Sequence, residues 1–502
     1  MNISGESKTF ATRNECILIF LLCFVAALRV FIFSAAFPFF SNVDEHLHFD
    51  LITRYSHAQL PRNSDRLTEE TLGWVVRYAS PEFLFAPDQF PQRKFPRPLW
   101  KQSGPEAEAE IAETKAAWSS EINFESAQPP LYYALASIWW WVGQKFGLVG
   151  IQSLYWIRFL NVPLTAIVVW MSYLTARMIA PERVELRAGV PLLLAFIPQN
   201  VFYAMNNDVL SPLCFGALFL CVLQWLRAET ASVGLGVVSG LAATATFLTK
   251  LSNLPLITVA LATIAVKLLL IIRRTSPVGL SALAALVVSA ALPIGSWLVW
   301  TKYQFGDPTG SAHKIMLLGW TPKPFHDWLR HPIFTPHGLC VFWSALIASF
   351  WRGEMNWHGR PLSWGLADGF FALSSLVMVS SAIVGVSRQA GLSTFQRQAI
   401  GIAILIFLAG IVFLALLSIQ FDFGNSTGPS RDHPYFTAGR LLGGALIPFA
   451  LVYVYGVVFM IRAVASAVLI LAILAGVALF LAASEIVVNR GAFASEHNWF
   501  HR

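Results

Sequence analysis

Two carboxylates and two imidazoles follow the first long apolar segment of this chain. Asp44 and Glu45 are adjacent, and His46 and His48 come directly after them. Charged groups where a membrane segment ends are costly, so we interpret this cluster as a candidate active site. A carboxylate here could act as general base on an acceptor hydroxyl, or could hold a divalent metal. We interpret His46 as a solvated bystander and His48 as a candidate for binding substrate.

Three further ionisable side chains stand at the ends of other apolar segments. Asp208 begins one segment, Lys250 ends another, and Arg440 begins a later one shortly after Tyr435. Because a charge facing lipid is expensive, acids and cations at one depth predict a polar cavity between helices. Lys250 and Arg440 could bind a phosphate, with Arg440 in bidentate geometry. We expect Tyr435 to contribute to the same substrate-binding site.

The sequence leaves the need for a metal open. The spacing of the candidate residues does not match a closed zinc site. If a divalent cation such as Mg²⁺ or Mn²⁺ is used, Asp44 and Asp208 are its expected ligands. The sequence contains neither a phosphate-cradling glycine loop nor a hydrolase nucleophile elbow, so it does not indicate a P-loop enzyme or an α/β-hydrolase.

The composition predicts the elements that must position these residues. The 502 residues are 56% hydrophobic and only 13% charged, which is typical of an all-α polytopic bundle of transmembrane helices. The net charge of +7 does not indicate nucleic-acid binding, because the basic residues stand mostly at the ends of apolar runs. The five cysteines form no recognisable disulfide framework.

Apolar runs predict about eleven transmembrane helices, each near the 20 residues needed to cross a bilayer. They cover residues 15–39, 156–178, 187–205, 208–227, 233–250, 254–272, 279–301, 365–387, 399–419, 438–461 and 464–483. We treat residues 1–502 as one transmembrane domain without internal repeats.

The basic residues predict the orientation. With the N-terminus in the cytoplasm, every inner turn is basic, as the positive-inside rule requires. These residues are Lys8, Arg13, Arg177, Arg183, Arg187, Arg227, Arg273, Arg274, Arg388, Arg397 and Arg462. Residues 40–155 and 302–364 then form two long loops on the outer face, and the first is expected to carry juxtamembrane helices.

This topology holds only if residues 129–147 do not cross the membrane. Trp139, Trp140 and Trp141 are consecutive, so they point around a helix and do not share one face. We interpret the segment as a helix at the outer membrane interface, where aromatic side chains are favoured. The alternative, a true span, would invert every later loop.

Several short motifs occur in an order that resembles a known superfamily. They are Asp44-Glu45 with His48, Gln128-Pro129-Pro130-Leu131-Tyr132-Tyr133, Asn207-Asp208 and Phe247-Leu248-Thr249-Lys250. This order resembles the GT-C superfamily of integral-membrane glycosyltransferases, which use polyprenyl-phosphate-linked sugars. The Asp-Glu-x-x-His form, Ser349-Phe350-Trp351 followed by Asn356-Trp357, and Gly439-Arg440 look more like its bacterial DUF2142 membrane proteins. The resemblance covers about residues 40 to 440.

The resemblance implies a catalytic acid in the first outer loop, here Asp44 with Glu45 beside it, and a second acid at Asp208. It also implies a membrane glycosyltransferase of the bacterial cytoplasmic membrane with its active site on the outer face. The expected donor is a polyprenyl-phosphate-linked sugar, and the expected acceptor is a cell-envelope glycan, lipid or protein. Membrane lipids and envelope glycan assembly proteins are the other expected partners.

Three other functions stay open at this stage. A transporter or flippase for polyprenyl-linked glycans would favour charges at the membrane midplane. An O-antigen ligase or polymerase would share the lipid-linked substrate. A non-catalytic scaffold would tolerate loss of the candidate residues.

Overall fold

The computed structural model describes residues 13–63, 65–275, 278–389, 391–426, 428–461 and 466–501. Within these residues the regular structure is nearly all helical, which confirms the predicted all-α membrane bundle. The helices of the first half are α1 (Arg13–Ala36), α2 (Glu45–Ser56), α3 (Glu69–Tyr78), α4 (Pro105–Trp118), α5 (Leu131–Lys145), α6 (Ile151–Arg158), α7 (Asn161–Ile179), α8 (Val184–Ala195), α9 (Ser211–Arg227) and α10 (Val233–Thr249).

The second half continues with nine more helices. They are α11 (Leu254–Thr275), α12 (Val278–Phe305), α13 (Ser311–Leu317), α14 (Phe325–Trp328), α15 (Pro336–Arg352), α16 (Gly365–Ser387), α17 (Thr394–Gln420), α18 (Leu446–Ile461) and α19 (Ala467–Phe493). Four two-residue strands form two antiparallel pairs, β1 (Thr321–Pro322) with β4 (Phe421–Asp422) and β2 (Asn356–Trp357) with β3 (Arg360–Pro361). Short 3-10 helices at Asn200–Tyr203, Asn207–Leu210, Leu251–Asn253 and Gly439–Ala445 interrupt the bundle near one end.

Nine helical segments among the described residues are long and apolar enough to cross a membrane. They are Arg13–Ala36, Ile151–Ile179, Asn207–Arg227, Leu251–Arg273, Val278–Phe305, Gly365–Ser387, Thr394–Gln420, Gly439–Ile461 and Ala467–Phe493. A tenth apolar helix, α10, is shorter. Ten of the predicted spans therefore coincide with helices.

The eleventh predicted span, residues 187–205, is not a continuous helix. Helix α8 ends at Ala195, and the chain reaches residue 206 through irregular backbone and a 3-10 turn. Irregular backbone at membrane depth must be buried and hydrogen-bonded within the protein. Asn161 meets this need, because its Nδ2 donates to the carbonyl oxygens of Phe202 and Ala204 at 3.0 and 2.8 Å.

The aromatic segment 129–147 contains α5, which has fifteen residues and is shorter than the nine candidate spans among the described residues. Its first turn lies beside α2, where the Tyr133 hydroxyl is 2.8 Å from His48 Nδ1. The chain then returns through α6, whose last residue, Arg158, contacts Glu45. Among the described residues this helix is not one of the segments long and apolar enough to cross a membrane, and its placement at the outer interface stays a prediction.

The basic residues used to predict orientation are only partly described. Lys8 and Arg462 lie outside the described residues, and the side chain of Arg274 does too. The orientation of the bundle in the membrane stays a prediction.

Helix α10 is held against α12 by glycines on its packed face. A Cβ atom on Gly236 would lie 2.3 Å from the Ala282 carbonyl oxygen, and one on Gly240 would lie 2.5 Å from that of Leu286. Small residues at such spacing let two membrane helices approach closely. This contact fixes α10, at whose C-terminal end Lys250 stands.

A buried guanidinium joins α6 to the end of α1. Arg158 is fully buried, and its Nη1 donates to the carbonyl oxygens of Ser34 and Phe37 at 3.1 and 2.7 Å. Its Nη2 donates to the Pro38 carbonyl at 2.9 Å. Arg158 thereby satisfies carbonyls that the end of a helix leaves without partners, and its positive charge suits that helix end.

Glu45 provides the countercharge to Arg158. Its Oε1 lies 2.7 Å from Arg158 Nη2, and neither side chain is exposed. Glu45 also accepts hydrogen bonds from the backbone N–H groups of Ser41 and Met205. One carboxylate thus holds together the end of α1, the start of α2, α6 and the irregular segment before α9.

We expect Arg158→Met to destabilise the protein by about 3–5 kcal/mol, because it leaves the Glu45 carboxylate buried and unpaired. Unfolding of the detergent-solubilised protein, followed by intrinsic Trp fluorescence, measures the change. Arg330→Met is the matched control, because the Arg330 side chain is 79% exposed. Equal stability of the two variants would contradict the structural role of the pair.

Candidate active site

A cavity of about 1060 Å³ opens at the Ala36 end of the bundle. Its wall combines the turn before α2, the segment before α5, the ends of α10 and α15, and the loop between β4 and α18. The charged side chains that line it are Asp44, Glu125, Lys250, Lys314, Arg352, Glu354, Asp368 and Arg440. The cavity therefore gathers residues that are far apart in the sequence.

Asp44 stands at the N-terminus of α2 in the left-handed conformation, with φ 62° and ψ 22°. This conformation is uncommon outside glycine, although Asp and Asn tolerate it better than most residues. The neighbouring Glu45 is fixed by Arg158, so the backbone at this point has little freedom. Asp44 is directed into the cavity, and its side chain is 23% exposed.

Arg440 lies at the centre of the charged cluster. Its Nη2 is 3.2 Å from Asp44 Oδ2, and its Nε is 3.4 Å from Glu354 Oε2 and 3.8 Å from Asp208 Oδ2. The backbone N–H of Arg440 also donates to Glu354 Oε1 at 3.2 Å. Three carboxylates from three parts of the chain thus surround one guanidinium.

Asp208 pairs with the second cation of the cluster. Its Oδ1 is 2.6 Å from Lys250 Nζ, and its backbone N–H donates to the Asn206 side chain at 2.8 Å. Asp44, Asp208, Lys250 and Arg440 therefore converge as predicted, because Arg440 contacts both acids and Lys250 contacts Asp208. Asp208 is only 2% exposed and lies behind the cavity wall, whereas Lys250 lines the cavity.

Glu354 is a site residue that the sequence did not single out. It follows Gly353, which has φ 89° and packs so tightly that a Cβ would lie 1.8 Å from Asn200 Oδ1. Asn42 fixes the same turn, because its Nδ2 donates to the Glu354 carbonyl and its Oδ1 accepts from the Asn356 N–H. Burial raises the pKa of the Glu354 carboxyl, although Arg440 opposes the shift. The sequence feature that could have identified Glu354 is the charged pair Arg352 and Glu354, which comes directly after the aromatic Ser349-Phe350-Trp351 stretch.

A second ion pair lines the opposite part of the cavity. Glu125 binds Lys314, which comes from α13 in the second long loop, and its other oxygen accepts from Gln128. Burial opposes ionisation of Glu125, but the Lys314 ammonium prevails and lowers its pKa to about 2. Gln128 also accepts from Asn207 at 3.1 Å, which links this pair to the Asp208 turn.

Besides Asp208, two of the predicted site residues, and the predicted bystander His46, do not line the cavity. Glu45 is buried against Arg158 and does not line the cavity, so we assign it a structural role in place of the catalytic role expected for it. His48 is 1% exposed and bonded to Tyr133, and it does not line the cavity either. His46 contacts Glu121 at 3.1 Å, away from the cluster, as expected of a bystander.

Tyr435 lines the cavity as predicted for a substrate-binding residue. Its ring is 7% exposed and meets the rings of His331 and His433 edge-on, at 5.8 and 5.1 Å between centroids. The aromatic side chains Phe124, Trp320 and Phe436 line the same cavity.

The carboxylates do not form a metal site as they are arranged. Among the described residues, no group of three or more His, Cys, Asp or Glu side chains is placed to hold a metal ion. Asp44 and Asp208, the expected ligands, are both turned toward Arg440. Their oxygen chemistry suits Mg²⁺ or Mn²⁺, but a fixed cation already occupies their common side.

Comparison with known families matches residues 24–428 to the model described as "Predicted membrane protein (DUF2142)". The chain belongs to this family. The match covers most of the chain and includes Asp44-Glu45 and His48, so the resemblance is confirmed at the family level, whereas Gly439-Arg440 lies beyond the matched residues. No curated protein matches the chain.

Among solved structures, the chain is similar to oligosaccharyltransferases of Archaeoglobus fulgidus, one of which is named AglB. The complex with an inhibitory peptide and a dolichol-phosphate aligns with 13% identity and a TM-score of 0.43, over 96% of this chain and 56% of AglB. The complex with Zn and sulfate aligns with 15% identity and a TM-score of 0.40, over 94% and 53%. The chain thus spans about half the length of these oligosaccharyltransferases.

We expect His48 to make stability fall as the pH is lowered. Burial holds the pKa of His48 well below its ordinary value of 6.5, so the unfolded chain binds a proton there before the folded protein does. The contribution of His48 to the free energy of unfolding should therefore be constant above about pH 6.5 and fall by up to about 1.4 kcal/mol per pH unit below it. Thermal unfolding in detergent at pH 7.5, 6.5 and 5.5 measures this dependence.

His48→Asn should flatten part of that pH dependence. His326→Asn is the control, because the His326 side chain is 71% exposed. If the two variants have the same pH dependence as the parent protein, His48 is not the group responsible.

Proposed function

We propose that this DUF2142 protein is a membrane glycosyltransferase that uses a polyprenyl-phosphate-linked sugar as donor. The acceptor would be a cell-envelope glycan, lipid or protein on the outer face of the bacterial cytoplasmic membrane. The observation that carries the proposal is the cavity-facing carboxylate of Asp44 in contact with Arg440, beside Lys250. A base and two cations at one opening suit transfer from a phosphate leaving group.

In the proposed reaction Asp44 is the general base. The acceptor hydroxyl loses its proton to the Asp44 carboxylate while its oxygen bonds to the anomeric carbon of the donor sugar. The bond from that carbon to the phosphate oxygen breaks, and the electron pair leaves on the phosphate. Asp44 contacts Arg440 through Oδ2, which orients the carboxylate in the cavity.

The cations of the cavity would stabilise the departing phosphate. Arg440 and Lys250 line the cavity, and their N–H groups could donate to phosphate oxygens as negative charge develops there. Asp208 does not line the cavity, so its proposed role is to hold these two cations in place. Lys314 is a third cation on the wall and is about one-third exposed.

The size and lining of the cavity suit two substrates together. Small-ligand pockets typically measure about 300–1000 Å³, and this cavity reaches the upper end of that range. Phe124, Trp320 and Tyr435 offer flat apolar faces to a sugar ring, while Val341 and Leu441 offer aliphatic surface to a lipid chain.

The transporter alternative has less support. Broken-helix transporters gather their charges near the midplane, around a substrate pathway. Here the cavity charges lie at one end of the bundle, and the deeper Arg29 and Glu485 pair with each other at 2.6 Å. The pocket beside Glu485 measures about 10 Å³, which holds no more than a water molecule. Isotope-labelled sugar recovered in covalent linkage to an acceptor would separate transfer from transport.

We expect Asp44→Asn to reduce sugar transfer by at least about 100-fold, because general bases typically contribute 10²–10⁴-fold. Asn tolerates the left-handed backbone, so the variant removes the charge with little strain. Cells lacking the parent gene are complemented with each variant, and labelled sugar in the envelope glycans is measured.

Asp327→Asn is the matched control, because Asp327 is an acid of the second long loop outside the cavity, with its side chain 37% exposed. Membrane insertion of both variants is checked by detergent extraction and size-exclusion chromatography. Normal envelope labelling with a correctly inserted Asp44→Asn protein would refute the proposed function.

A further inference from the structure

The centre of the carboxylate cluster is occupied by a side chain of this same protein. Asp44, Asp208 and Glu354 come from the first loop, the turn before α9 and the turn after α15, yet all three contact Arg440. Three carboxylates that converge from separate elements are the ligand type that hard divalent cations prefer. In this protein their common partner is a guanidinium.

The backbone of Arg440 is fixed at this position. A Cβ on the preceding Gly439 would lie 2.1 Å from the Phe350 backbone nitrogen, so the chain is pressed against α15. The N–H of Gly439 donates to Ser349 Oγ at 3.0 Å, and Ser349 Oγ donates to the Thr437 carbonyl at 2.6 Å. The guanidinium therefore starts from an anchored backbone and does not depend on a mobile loop.

The charges of the cluster are nearly balanced without a further ion. Its three carboxylates carry three negative charges, and Arg440 and Lys250 carry two positive ones. A divalent cation bound among the same oxygens would have to lie close to both fixed cations. It would also have to displace the Nε atom of Arg440, which lies between Glu354 and Asp208 at 3.4 and 3.8 Å.

We propose that Arg440 takes the place of a divalent metal in this site, so that the carboxylate cluster works with a built-in cation. The guanidinium organises Asp44, Asp208 and Glu354 as a metal would. It can also donate N–H groups to a phosphate, because its Nη1 has only a long contact of 3.4 Å to the Val43 carbonyl within the cluster. The catalytic part of this inference rests on the proposed glycosyl transfer, whereas its binding part does not.

Titration with Mn²⁺ alone, followed by electron paramagnetic resonance on the purified full-length protein in detergent, tests the binding part. The parent protein should show no saturable Mn²⁺ site up to about 1 mM, a range in which weak carboxylate sites already fill. Arg440→Ala should gain one saturable site, because the three carboxylates lose their central cation. Arg440→Ala combined with Asp208→Asn should lose that site again.

Arg352→Ala is the matched control. Arg352 also lines the cavity, but it pairs with Asp368 at 2.8 Å and lies outside the cluster. Its removal should create no site that depends on Asp208. A gain of Mn²⁺ binding in Arg352→Ala equal to that in Arg440→Ala would overturn the assignment, because loss of any cavity cation would then have the same effect.

Two other results would overturn the inference. The first is a saturable Mn²⁺ site in the parent protein that Asp44→Asn abolishes. The second is a folded Arg440→Ala protein that binds no Mn²⁺, because the carboxylates would then not form a cation position. If Arg440→Ala does not fold, Mn²⁺ titration of the parent protein and of Asp44→Asn still tests the inference. A saturable site that the parent protein has and Asp44→Asn lacks overturns it, and the absence of a saturable site in the parent protein supports it.

The catalytic part has a separate readout. Sugar transfer by the purified protein should be unchanged after treatment with EDTA, and restoring Mn²⁺ or Mg²⁺ should not raise it. Loss of transfer in EDTA with recovery on Mg²⁺ would refute the inference while leaving glycosyl transfer established. Absence of transfer under every condition would instead refute the proposed function. The Mn²⁺ titration would then still test whether Arg440 occupies a cation position.

Discussion

The buried contact between Arg158 and Glu45 is the constraint on which the site depends. A buried guanidinium needs a carboxylate as countercharge, and Glu45 provides it for Arg158 in a contact from which water is excluded. The preceding residue, Asp44, is consequently held at the first turn of α2 in a fixed backbone conformation and directed to the other side, into the cavity. Two adjacent acids thus acquire different roles: Glu45 holds structural elements together, and Asp44 faces the cavity.

Sequence patterns predicted the bundle and the convergence of the charged residues, because apolar runs and charge at their ends are local properties. They did not separate Glu45 from Asp44, since the difference comes from Arg158, which is 113 residues away. The span 187–205 was wrong as a continuous helix, because Asn161 satisfies the irregular backbone from another helix. Glu354 was missed for a similar reason: its importance arises from a turn held by distant side chains.

The cavity is polar without being strongly charged. Each of its four Lys and Arg side chains contacts a carboxylate of the described residues. The pairs are Lys250 with Asp208, Lys314 with Glu125, Arg352 with Asp368, and Arg440 with Asp44. In the proposed reaction, a phosphate that enters would compete with these carboxylates, so electrostatic attraction alone would give it little affinity. Apolar contact with a lipid chain would then have to supply much of the binding energy for a polyprenyl-linked donor.

The left-handed backbone at Asp44 has a consequence for how this position can vary. Glutamate keeps the charge and is usually regarded as a conservative replacement, but it accepts a positive φ less readily than Asp or Asn. It would also carry its carboxylate one methylene farther from the backbone, so the 3.2 Å contact with Arg440 would have to be rebuilt. In related proteins, a switch from Asp to Glu at this position would therefore signal a rebuilt turn, whereas Asn or Gly would signal an intact turn that has lost its acid.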